Sequence, residues 1–135
     1  MSHSHSNARH ALVIDQSKHE RDNSKRILTK LGFIVEESDG SGQQVLQIIK
    51  EAVLKNHHHG GFDCMVVSHE TKDVNGPQTV HRIRNPGFKG LVVGLVHYDN
   101  HDGDSQFQES GANFVLSLPL TAENIQHVFM DGTMK

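Results

Sequence analysis

Apolar residues in this chain fall into short unbroken runs, separated by stretches in which they recur every three or four positions. The runs are Ala11–Ile14, Phe33–Val35, Phe62–Ser68, Leu91–Val96 and Asn113–Ser117. Each is too short for a helix and apolar on consecutive positions, the pattern of a strand covered on both faces. Between them, Ile27, Leu28 and Leu31 mark one helical face, and Val45, Leu46, Ile49 and Val53 a second. Val80 with Ile83, and Ile125 with Val128 and Phe129, mark two more, while Ser105–Ser110 predicts only a short, weak helix. Punctuation agrees with this reading. Ser17 followed by Glu20 reads as a capping box, Gly32 as a C-cap, Pro77 as a first-turn proline and Thr121 as a cap. The alternation is (βα) five times over. It predicts an α/β fold, a doubly wound five-stranded parallel sheet with helices on both faces.

Composition narrows the class. The chain has 135 residues, 35 % of them hydrophobic and 21 % charged, which suits one domain. The assignment is a polar leader over 1–9, expected to be disordered, a domain over 10–131 and a tail over 132–135. A net charge of −3 gives no basic footprint for nucleic acid. No apolar run approaches the roughly 20 residues of a membrane span. One cysteine, Cys64, sits mid-strand and cannot form an internal disulfide, which suggests a reducing, cytoplasmic setting. Twelve histidines include His57-His58-His59, a triplet able to take up zinc or nickel but more simply read as solvated. His97 and His101 suggest pH sensitivity in a loop. Gly40-Ser41-Gly42 lacks the spacing and the lysine of a phosphate loop.

In an open parallel sheet, function sits at the carboxyl ends of the central strands. Here the third strand ends at Ser68, and Gly76 follows eight residues on. The first strand ends in Asp15-Gln16-Ser17, with Arg21 beyond it. Gly32-Phe33, Phe62-Asp63, Gly111-Ala112-Asn113 and Leu118-Pro119 complete an ordered set. With the helices between them, these residues resemble the receiver domain of two-component response regulators, from Ala11 to about Phe129. The resemblance implies a flavodoxin-like strand order of 2-1-3-4-5.

It also implies roles at particular positions. The phosphoacceptor aspartate is represented by Ser68, and the paired acids that hold Mg²⁺ by Asp15 and Gln16. The switch hydroxyl is represented by Val96, the aromatic switch by Val115 and the phosphate-pairing lysine by Leu118. A hydroxyl without an activating base is a poor nucleophile, and its phosphate ester is stable. One remaining carboxylate makes a weak magnesium site. Asp15 with Glu70 is the residual metal candidate.

The expectation is therefore a pseudo-receiver of a two-component or phosphorelay system, not an enzyme, acting by protein–protein contact and needing no cofactor. By resemblance, its partner is a histidine kinase, a phosphotransfer protein or an attached kinase module, and residues 105–130 form a docking or homodimer face. Two alternatives stand beside it. One is residual phosphate acceptance by Asp15 or another carboxylate. The other is small-molecule or metal sensing in a crevice lined by Asp15, Gln16, Ser68, Val96 and Leu118. A Ser68–His97 or Ser68–His69 catalytic pair has no orienting group in the sequence. The chain ends soon after the last helix, which suggests either a stand-alone regulator or a piece of a hybrid kinase.

Overall fold

In the computed structural model, which describes residues 9–55 and 61–130, five parallel strands alternate with five helices. The strands are β1 (Arg9–Ile14), β2 (Phe33–Ser38), β3 (Cys64–Ser68), β4 (Leu91–Val96) and β5 (Phe114–Ser117). The helices are α1 (Lys18–Lys30), α2 (Gly42–Lys55), α3 (Gly76–Arg84), α4 (Gly103–Ser110) and α5 (Ala122–Val128). The sheet order is β2-β1-β3-β4-β5, as expected. Several boundaries move: β2 runs on to Ser38, β3 starts at Cys64 and β5 at Phe114. Arg9, assigned to the leader, opens β1 opposite Phe33, and α4 begins two residues before Ser105. The histidine triplet and the tail over 132–135 lie outside the described residues.

Strand alternation divides the core into two apolar layers. Ala11, Val13, Cys64, Val66 and Val93 face one way and pack with Leu28, Ile125 and Val128. Leu12, Ile14, Met65, Val67 and Val92 face the other way and pack with Val45, Val80, Ile83 and Phe107. Because successive side chains of a strand point to opposite faces, every residue of these central runs is buried. That is why they read as continuous apolar stretches.

Local chemistry fixes the helix starts. Ser17 Oγ accepts the Glu20 N–H, but the expected reciprocal bond from Glu20 gives way to another acceptor. The Ser17 N–H donates to Asp15 Oδ1 at 2.9 Å, so the carboxylate that ends β1 also starts α1. Helix α3 carries a full capping box, Asn75 with Gln78, and has Pro77 in its first turn. Helix α5 has the same device in Thr121 and Asn124.

One glycine is fixed by close approach. A Cβ at Gly76 would lie 2.0 Å from the Ser68 carbonyl oxygen and 2.8 Å from Phe107. The first contact is with backbone, which cannot swing aside. Gly76→Ala is expected to cost about 3 kcal/mol, a fall in Tm on the order of 10 °C, read by thermal denaturation. An unchanged Tm would show that the tip of β3 is free to move.

Candidate functional site

The carboxyl ends of β1 and β3 lie side by side, with Ile14 opposite Val67, so Asp15 and Ser68 are neighbours across the sheet. Both are buried, at 2 % and 1 % exposure. Asp15 Oδ1 is held by the Ser17 N–H, while Oδ2 is buried without a hydrogen-bond partner among the described residues. Burial pushes the Asp15 carboxyl up to about 6, and Glu20 adds to the rise. The Ser17 N–H, Arg21 and the Ser68 hydroxyl act the other way but do not offset the loss of water. Ser68 Oγ accepts the Glu70 N–H at 3.1 Å.

Arg21 is the nearest cation, yet its guanidinium is committed elsewhere. Its Nη1 donates to the Asp15 carbonyl at 2.8 Å and its Nε to Glu37 at 2.9 Å, with Lys25 on the other Glu37 oxygen at 3.0 Å. These two bonds hold the Glu37 carboxyl below its ordinary range.

The remaining positions separate. Gln16 is exposed, and its N–H donates to the Glu70 carbonyl. Val96 packs in the layer with Phe107, and Val115 lies half-buried against the same layer. Leu118 packs in the opposite layer, with its N–H on the Val96 carbonyl at 2.8 Å. The Leu118–Pro119 peptide is cis. A crevice is expected at these strand ends. Of its five lining residues only Gln16 lines the opening, about 360 Å³, together with polar side chains such as His69, Glu70, Asp73 and Gln78. Val96 turns into the core and Leu118 packs half-buried against the opposite layer, because apolar side chains at strand ends gain more by packing than by lining a wet opening.

A divalent cation does not fit this donor set. Asp15 supplies one carboxylate, already bonded through Oδ1, Gln16 supplies a neutral amide and Ser68 a hydroxyl. Glu70 is exposed, and no group of three or more His, Cys, Asp or Glu converges anywhere among the described residues.

Sequence reasoning missed the role of the residue after Ser68. His69 Nε2 lies 2.9 Å from Gln106 Oε1 of α4, and its ring meets Phe107 edge-on at 5.9 Å. Phe107 in turn fills the space over Gly94, where a Cβ would lie 2.6 Å from the ring. The glycine inside the β4 run was the available signal, since glycine in a strand interior marks a close approach. Cys64 matches its reading as a packed hydrophobe: it is fully buried and its thiol is pushed up to about 12 by burial.

No protein-family model matches the chain. Over 115 residues it is 26 % identical to the two-component response regulator 24 of Arabidopsis thaliana, covering 85 % of this chain and 77 % of that protein. A putative response regulator from Chloroflexus aurantiacus superposes with a TM-score of 0.79 at 14 % identity, covering 96 % of this chain and all of that one. The receiver domain of the histidine kinase CKI1 from Arabidopsis thaliana, complexed with Mg²⁺, gives 0.78 at 16 % identity over 91 % and 90 % of the two chains. The fold is that of CheY-like response-regulator receiver domains. No helix among the described residues is long and apolar enough to cross a membrane.

Proposed function

We propose that this chain is a pseudo-receiver: a two-component signalling domain that works by docking to a protein partner, without aspartyl phosphorylation and without catalysis. One observation carries the reading. The tip of the central strand, where receivers by resemblance hold their acceptor carboxylate, is the buried Ser68, with its Oγ bonded to the Glu70 N–H. A serine phosphate is a stable ester, and a hydroxyl at 1 % exposure beside a weakly basic carboxyl is a poor nucleophile at neutral pH. Asp15 is a poor substitute acceptor, being 2 % exposed and held by the Ser17 N–H.

The docking surface of this reading lies over 105–130. There β5 is a sheet edge whose Phe114, Val115 and Leu116 stay half-buried, and Met130 is 80 % exposed. An edge strand flanked by part-covered apolar residues is suited to a protein partner, such as a histidine kinase or phosphotransfer protein, or to a second copy.

The test is an amide NMR titration with Mg²⁺ and then acetyl phosphate, with intact mass read on the same sample. The expected result is no mass gain and no shifts around Asp15, Ser68 and Val96. A gain of one phosphate, with shifts spreading into 105–130, overturns the reading.

A further inference from the structure

We propose that the groove between α3 and α4 binds an acidic peptide segment of a partner protein. This goes beyond the pseudo-receiver reading, and it stands even if a phosphoryl group is accepted elsewhere in the domain. The groove has a volume of about 510 Å³. Its walls are two facing helical rows, Gln78, His81 and Arg82 on α3 and Gln106 and Glu109 on α4, with Asn75 at the entrance of α3. Positions i, i+3 and i+4 share one helix face, so each row presents its side chains together.

The hydrogen-bond accounting gives this lining its character. Asn75 Oδ1 accepts the Gln78 N–H and Gln78 Oε1 accepts the Asn75 N–H. Both carboxamide oxygens are thus engaged inside the capping box, while their two NH₂ groups have no partner among the described residues. Gln106 Oε1 is engaged by His69 Nε2, in the tautomer that carries its proton there, which adds a third such NH₂ group. The side chains of Arg82 and His81 make no hydrogen bond or ion pair among the described residues. Arg84, two residues on, shows the contrast. Its guanidinium is used up on the carbonyls of Gly111, Phe88 and Gly90 and on Asn113 Oδ1. Arg84 is structural, whereas Arg82 is a cation held at a groove wall with nothing to bind.

Donors in excess over acceptors select a ligand rich in oxygen acceptors. Their spacing selects its shape. From Asn75 to Arg82 the donors extend along roughly 10 Å of α3, too far for one phosphate or carboxylate ion. A peptide presents carbonyl oxygens in series to the carboxamides and a carboxylate to Arg82, where a charge-assisted bond anchors it. Glu109 on the opposite wall repels a polyanion such as nucleic acid and leaves the Arg82 end as the place for a single carboxylate.

The experiment is an amide NMR titration of the full chain with a blocked pentapeptide alternating glutamate and alanine. Its counterpart with glutamine for each glutamate, and inorganic phosphate, are the comparison ligands. The expected result is saturable shifts confined to Asn75, Gln78, Arg82 and Gln106, with binding at least about ten-fold weaker for the glutamine peptide and for Arg82→Glu. Arg82 is exposed and unbonded, so this substitution leaves the fold intact. An absence of saturable shifts, shifts scattered over surface lysines such as Lys18, Lys50 and Lys89, equal shifts with phosphate alone, or indifference to Arg82→Glu would each overturn the proposal. Shifts at 114–130 instead would place the partner on the β5 edge and overturn it as well.

Discussion

Ser68→Asp is expected to destabilise the folded chain by about 3 kcal/mol at neutral pH and to make its stability depend on magnesium. The substitution puts a second carboxyl at the tip of β3, beside Asp15, at a position 1 % exposed. Asp15 is already pushed up to about 6 by burial, so a second acid meets both lost hydration and like-charge repulsion. Among the described residues no free cation stands by to relieve it. Arg21 is occupied by Glu37 and by the Asp15 carbonyl, and the position before Pro119 is the apolar Leu118. A divalent cation binding only the folded form restores stability by mass action, about 2.7 kcal/mol at a hundred times its Kd. Gln16→Asp in the same background is expected to strengthen that rescue by adding another oxygen anion. Urea denaturation with magnesium and with a chelator reads both effects. If Ser68→Asp matches the parent in chelator, or is indifferent to magnesium with Gln16→Asp added, the tips of β1 and β3 do not bury the two side chains beside each other as described.

Asp15→Asn is expected to stabilise the chain by about 2 kcal/mol at pH 7 and to leave it unchanged near pH 3.5. The sign follows from where the proton sits. The carboxyl titrates near 3.8 in the unfolded chain and at about 6 in the folded one. Below the lower value it is protonated in both states and imposes no cost. Between the two, the unfolded chain releases its proton while the folded chain keeps it, so stability falls as pH rises. Above about 6 both are ionised and the loss is complete. Asparagine keeps the oxygen that accepts the Ser17 N–H and carries no charge. Asp22, Glu37 and Asp39, all held below their ordinary range by hydrogen bonds, tilt stability the opposite way in both proteins and cancel in the difference. The measurement is denaturation of both proteins from pH 3.5 to 8. A difference that does not grow between pH 4 and 6 would show that Asp15 is hydrated and the pocket open.

Much of this architecture was legible along the chain because it rests on short-range rules. A strand covered on both faces must be apolar at every position, and β3 and β4 are; a helix start must satisfy its free N–H groups, and Ser17, Pro77 and Thr121 stand where that happens. The order of the strands followed from the resemblance, and the sheet has it. The site was legible only as a set of residue types. Sequence put Asp15, Gln16, Ser68, Val96 and Leu118 near the strand ends, but which of them meets water is decided by packing across the sheet. Folding buries Asp15 and Ser68 together, sends Val96 and Leu118 into opposite apolar layers and leaves Gln16 outside. The same holds for the arginines. Arg82 and Arg84 look alike two residues apart, and only the turn of α3 aims one at four acceptors and the other at an open groove. Local sequence sets which elements form, because their hydrogen bonds and caps are short-range. Burial, charge and access at the site depend on contacts between residues far apart in the chain, which exist only once the sheet and its helices have come together.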